Sequence, residues 1–142
     1  MKVVAFIGHH NSGKTSLLEQ VARRLKEKGY RVGYIKHDPK GHGVTDREGS
    51  DTDRIFRILD RVILLSPDRL TLWDRREEDL FRVIEEFFSG YDIVLLEGFK
   101  GVGGLPKVAL GDVEADNVIM RVSRETGPEP VVELIERLEG RQ

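Results

Sequence analysis

The apolar positions of the chain repeat with two different periods, and the two alternate. Val3-Val4-Ala5-Phe6-Ile7 is a continuous apolar run, which is what a parallel strand buried on both faces requires. Leu17, Leu18, Val21, Ala22 and Leu25 then recur at helical spacing, with Glu19, Arg23, Arg24 and Lys26 on the opposite side. Gly29 stands where a glycine ends such a helix. Arg31 to His37 reads as a second strand, followed by turn chemistry in Asp38-Pro39-Lys40-Gly41-His42-Gly43 and a polar segment to about Asp53. Ile55, Phe56, Ile58 and Leu59 predict a short helix, and Arg61 to Ser66 and Leu70 to Trp73 predict two strands parted by Ser66-Pro67-Asp68. Leu80, Val83, Ile84, Phe87 and Phe88 mark an amphipathic helix that stops at Gly90. Tyr91 to Leu96 is the most apolar strand and runs into Glu97-Gly98-Phe99-Lys100. Strands near Lys107 to Leu110 and Asn117 to Val122 and a helix from about Pro130 to Leu138 complete the pattern.

Strands that alternate with helices predict a mostly parallel sheet covered on both faces, a three-layer α/β/α architecture. In such sheets the ligand sits beyond the carboxyl ends of the strands. The segments that follow Ile7, His37 and Leu96 are therefore expected at one edge. The length, 142 residues, suits one nucleotide-binding domain over residues 1–142.

Composition mainly excludes. With 39% apolar and 34% charged residues the chain reads as globular with a well-solvated surface. Twenty-three basic and 25 acidic residues leave a formal charge of −2, so no broad field draws it to nucleic acid or to an anionic membrane. The absence of cysteine removes disulfides, thiolate zinc sites and thiol nucleophiles together. Without a signal-peptide pattern or a membrane-length apolar run, a cytoplasmic protein is expected.

The candidate chemistry begins directly behind the first strand. Residues Gly8-His9-His10-Asn11-Ser12-Gly13-Lys14-Thr15 match G-x-x-x-x-G-K-[ST], flanked as a phosphate-binding loop must be by a strand and a helix. Gly8 and Gly13 permit close backbone approach, so that successive N–H groups point at phosphate oxygens. Lys14 brings a point charge to the terminal phosphates, the Thr15 hydroxyl is suited to ligate Mg²⁺, and the helix start adds its positive dipole end. The competing reading is a glycine-rich turn with a solvated lysine. Glu97, at the end of the most apolar strand, is where such proteins place the acid that holds Mg²⁺ directly or through water. Asp92 begins the same strand and is too far away to share that ion. Asp38, Asp46, Asp51 and Asp53 form an acidic group near the expected phosphates, with Asp46 and Asp51 as candidates to orient or deprotonate an attacking water. A solvated loop is the alternative for each. His9, His10, His37 and His42 invite a zinc or nickel reading, but phosphate-facing or neutral histidines fit a loop of this kind better. Trp73 is expected in a core or an interface.

Several segments together resemble the molybdopterin-guanine dinucleotide biosynthesis protein B family over essentially the whole chain. They are "FIGHHNSGKTSLL", the strand end "GYIKHD", the acidic stretch "TDREGSDTDR", and "IVLLEGFK" followed by "PK". The resemblance implies a P-loop NTPase-like fold, weak GTPase activity with GTP and Mg²⁺, a homodimer, and assistance to the nucleotidyltransferase MobA as GMP is joined to molybdopterin. It matches Gly13, Lys14, Thr15 and Ser16 to the family's phosphate loop, and Lys36 and His37 to its lysine-histidine pair, expected to serve the pterin or partner. Gly49, Asp51 and Thr52 fall on its glycine-lysine-aspartate-serine stretch, with Ser50 where lysine is usual and Thr52 where serine is. No N-K-x-D signature reads guanine, so the choice of GTP follows from resemblance alone. The loop position where a dimer-activated P-loop protein has a second lysine holds His9, and no arginine finger is evident, so turnover is expected to be slow. A small-molecule kinase or ATP-dependent ligase, with Arg47 and Arg54 on a lid, is the alternative from a different class.

Overall fold

The structure, a computed structural model, describes every residue except His42, Val44 and Gln142. The chain divides into two compact units, residues 1–37 with 81–142, and residues 38–80.

The first unit holds the sheet. Strand β1 (Lys2–Gly8) leads through the glycine loop to helix α1 (Lys14–Glu27) and strand β2 (Val32–Lys36). After residues 38–80, helix α3 (Leu80–Phe88) leads to β5 (Ile93–Glu97), β6 (Lys107–Leu110), β7 (Val118–Val122) and helix α4 (Glu129–Arg137). The five strands are ordered β2-β5-β1-β6-β7 and every pairing is parallel. This is the α/β/α architecture that the alternation predicts, and side-chain parity assigns its faces. Val4 and Phe6 of β1, Ile93 and Leu95 of β5, Val108 and Leu110 of β6 and Val122 of β7 pack on Leu17, Leu18, Val21 and Leu25 of α1 and on Val131, Val132 and Ile135 of α4. Burying each such side chain contributes about 1.5–3 kcal/mol before conformational entropy is subtracted. The other face takes α3. A Cβ on Gly33 of β2 would lie 2.4 Å from the Phe88 ring, so only glycine lets that helix end approach the strand.

Helix α1 ends where expected, with Gly29 at φ +93° and the Tyr30 N–H donating to Leu25 C=O at 3.2 Å. The first strand is longer than its apolar run by one residue at each end, because the polar Lys2 and Gly8 still pair with neighbours.

The second unit is smaller. Helix α2 (Asp51–Phe56) starts earlier than the apolar spacing predicts. The Ser50 hydroxyl accepts from the Asp53 N–H at 3.2 Å, and Asp51 and Asp53 lie in the first turn, where carboxylates favour the helix dipole. Strands β3 (Arg61–Leu65) and β4 (Leu70–Asp74) form an antiparallel hairpin, closed at its base by Arg61, which donates through Nε and Nη2 to Asp74 at 3.0 and 3.1 Å. Trp73 pairs with Val62 in this hairpin.

Candidate functional site

Strand β1 ends at Gly8, and the chain must turn sharply to enter α1. Asn11 at φ +62° and Gly13 at φ +91° make that turn, and the Ser12 N–H donates to His9 C=O at 3.1 Å. A Cβ on Gly8 would lie 2.8 Å from Ser12 Oγ and 3.2 Å from Leu110, so the loop folds tightly over its own strand. The Lys14 ammonium curls back to donate to Gly8 C=O at 3.0 Å. Ser12 Oγ is buried and has no hydrogen-bond partner among the described residues. A polar atom left so in a nest of backbone N–H groups is one that a bound anion's oxygens would satisfy.

The second half of the site comes from the neighbouring strands. Glu97 closes β5 with its carboxylate almost wholly buried, and three groups address it. Thr15 Oγ1 donates to Oε1 at 2.9 Å, Lys36 Nζ lies 3.7 Å from Oε2, and the Tyr34 phenol stands near enough to feel its charge. Tyr34, Lys36 and Glu97 share one face because β2 and β5 pair in register, Tyr34 with Leu95 and Lys36 with Glu97. Burial, helped by the Glu97 charge, pushes the Tyr34 phenol up to about 12. His37 stacks on Phe99, ring centroids 4.4 Å apart and planes within 16°. Gly98 at φ +93° and Phe99 at φ +63° hold that turn, an unusual conformation for a bulky side chain.

These parts enclose a cavity of about 460 Å³, lined by His9 to Ser16 together with Lys36, His37, Glu97, Gly98 and Arg124. Gly8 forms its back through the bond to Lys14. Arg124 follows β7, the same strand-end position as the other three segments, and stands beside Gly13. The sequence offers only Arg47 and Arg54 as arginines for the phosphates, both on a lid, and does not single out Arg124, although the rule that selects the ends of β1, β2 and β5 applies equally to β7. Tyr34 was read only as a strand residue, yet lying two positions before Lys36 puts it on the same face. His9 also meets Asp112 at 3.2 Å, a pair too exposed to matter much to stability.

Asp46 and Asp51 belong to the second unit. Asp46 accepts from the Thr52 hydroxyl and from the Arg47 N–H at 2.9 Å, and these bonds, Thr52 first, hold its carboxyl below the usual carboxylate range. That makes it a weaker base. Asp51 sits exposed in the first turn of α2. His42 lies outside the described residues. Among the described residues no group of three His, Cys, Asp or Glu side chains is placed to hold a metal ion. A divalent cation here would have to be held by one hydroxyl and one carboxylate, shared with phosphate oxygens and water, as Mg²⁺ commonly is.

The comparison that decides the lineage is a family model, molybdopterin guanine dinucleotide synthesis protein B (MobB), which matches residues 3–125. The chain belongs to this family. A MobB relative from Bacillus subtilis, named "Probable molybdopterin-guanine dinucleotide biosynthesis adapter protein", is 38% identical over 76% of this chain and 64% of its own length. The Escherichia coli molybdopterin-guanine dinucleotide biosynthesis adapter protein is 33% identical over 69% of this chain and 59% of its own. The chain thus spans less than two thirds of the length of these curated relatives. The crystal structure of Bacillus subtilis MobB superposes with a TM-score of 0.72 at 27% identity, covering 99% of this chain and 100% of that one. The MobB match takes in β1, the glycine loop, Glu97 and Arg124, every strand end that lines the cavity. It stops short of α4.

Proposed function

We propose that the chain is a GTP-binding adapter of molybdopterin guanine dinucleotide synthesis and a weak Mg²⁺-dependent GTPase. It acts as a cytoplasmic homodimer beside the nucleotidyltransferase MobA and molybdopterin. One observation supports the nucleotide part above the rest: Thr15 and Lys36 converge on the buried Glu97 at the mouth of a loop whose own lysine is folded back onto Gly8. The loop amides and Lys14 hold the phosphates, Lys14 exchanging Gly8 C=O for phosphate oxygens. Thr15 and Glu97 would hold Mg²⁺, which neutralises charge on the terminal phosphates when bound. Lys36, 3.7 Å from Glu97 Oε2, places a cation beside the metal position and also serves the pterin or partner expected of it and His37. Arg124 adds positive charge over Gly13. Slow hydrolysis follows from His9 at the position of an activating lysine and from an Asp46 made a weaker base by its bonds to Thr52 and Arg47, with Asp51 left as the other water-orienting candidate. Guanine preference, MobA and molybdopterin rest on family membership.

Calorimetric titration of GTP and ATP into the wild type and Lys14→Ala tests this. Losing a charge-assisted contact of about 1.5–3 kcal/mol weakens GTP binding at least about tenfold, while the melting temperature stays nearly constant. Unchanged GTP affinity in a folded Lys14→Ala protein removes the nucleotide assignment. Rapid phosphorylation of a small acceptor by the wild type would shift it to the kinase class.

A further inference from the structure

A second cavity, of about 640 Å³, runs along the edge of the sheet between α1 and β2. It is larger than the phosphate pocket and of different chemistry. Leu18, Ala22, Val32 and Leu95 make its floor, and three tyrosines, Tyr30, Tyr34 and Tyr91, stand around it. The rings are held in place. The Tyr30 hydroxyl donates to Glu136 at 2.8 Å. Tyr91 meets Phe88 edge-on at 5.1 Å and carries the Arg31 guanidinium 4.2 Å over its face. Tyr34 stands on β2 on the same face as Glu97.

The polar rim has direction. Glu19 and Lys26 both line the cavity from α1, and seven residues of helix separate them by about 10 Å. Arg31 joins the cationic end. Lys26 has no side-chain partner among the described residues, whereas Glu19 shares one oxygen with Arg23 at 3.3 Å. Flat aromatic walls that are already ordered favour a flat π-system at little entropic cost. A carboxylate at one end matches the paired N–H donors of an amino-pyrimidone edge, and two cations at the other match an anion.

We propose that this groove binds a flat fused-ring nitrogen heterocycle bearing one anionic group. Its amino-pyrimidone edge faces Glu19 and its anion faces Lys26 and Arg31. A pterin phosphate and a purine nucleotide share that chemistry. The choice of the pterin rests on the adapter reading above, but the groove itself does not, since the phosphate loop lends it only Thr15.

The probe is pterin-6-carboxylate, a flat fluorescent anion, titrated into the full chain and followed by anisotropy. Saturable binding by the wild type is expected, weakened about tenfold or more by the double charge reversal Lys26→Glu/Arg31→Glu. Both residues are exposed, so folding is kept. Ala22→Phe, which fills the floor, should abolish binding, and GTP affinity should stay within about twofold in all variants. No saturable signal with the wild type, or undiminished probe affinity in the folded double variant, overturns the proposal. Displacement of the probe by GMP as readily as by unlabelled pterin phosphate would assign the groove to purine nucleotides and overturn the pterin. Lys14→Ala separates the two readings, because it should weaken GTP binding at least about tenfold and leave the probe bound. If it leaves GTP affinity unchanged instead, the nucleotide reading fails while the groove is judged on its own variants.

Discussion

Glu97 is a buried carboxylate approached by a hydroxyl, a phenol and an ammonium, and each neighbour makes its charge tolerable. Replacing it by glutamine keeps the shape and removes the charge. Mg²⁺-dependent hydrolysis by Glu97→Gln should fall at least about tenfold while nucleotide binding in EDTA persists, as expected of a group acting through the metal. Full retention of Mg²⁺ dependence, measured as hydrolysis against metal concentration, would move the role to another acid. Tyr34 offers a test that needs no ligand. Its phenol is raised, chiefly by burial, to about 12. Below pH 10 it is neutral in both folded and unfolded chains and makes no difference. Above pH 10 the unfolded chain loses that proton first, so rising pH favours unfolding until the folded state titrates near pH 12. The melting temperature should therefore drop more steeply over that window in the wild type than in Tyr34→Phe, and parallel curves would show that the phenol is not held as described.

At the scale of elements, β6 is short and its first residue is a lysine with no exposed surface. Lys107 Nζ donates to the carbonyls of Val102 and Asp116 at 2.7 and 3.2 Å and to Asp116 Oδ1 at 2.7 Å. It ties the chain between β5 and β6 to the turn before β7. Lys107→Met should destabilise by about 3 kcal/mol, because it removes the one donor that these partly buried acceptors share and leaves their segments untied. For a chain of this size that lowers the melting temperature by roughly 6–12 °C. A change below about 2 °C in differential scanning calorimetry would mean that the loop does not depend on it. Nothing in a single lysine before Val108 announces this burial, since lysine is ordinarily exposed. The strands themselves were legible, because continuous runs such as Val3 to Ile7 leave little choice of period. Helix α2 was half legible. Its apolar residues pointed to Ile55 through Leu59, but the cap at Ser50 set the start and moved the helix towards the acidic segment. The site followed the same division. Glycine, lysine and threonine at fixed spacing declare a phosphate loop, whereas Arg124 and Tyr34 enter it only through topology and register.

At the scale of the whole molecule, the unit of residues 38–80 raises a question of its own. Its hairpin is a two-stranded sheet, and Ile63, Leu64, Leu65 and Leu70 are all exposed apolar side chains, with Ile58 and Leu59 exposed just before β3. Two strands seldom bury enough surface to persist alone in water. A contiguous apolar patch together with two unpaired strand edges is characteristic of an interface. The hairpin pattern alternates poorly because both of its faces carry leucine or isoleucine, which distinguishes it from an edge built to stay solvated. The homodimer proposed above would form through this hairpin. The ion pair of Arg61 with Asp74 at its base fixes the register of β3 against β4 within each copy. Sedimentation equilibrium should return twice the 16.2 kDa chain mass for the wild type. Leu65→Glu, at one of the most exposed of these positions, should shift it to a monomer, since a charge brought into an apolar contact costs more than one exposed leucine contributes. The variant's first unit should still bind GTP with affinity within about threefold of the wild type, because the phosphate loop and Glu97 lie wholly outside residues 38–80. A wild type that sediments as a monomer would refute the dimer, and loss of GTP binding in a monomeric Leu65→Glu protein would show that the nucleotide site is not complete within one copy.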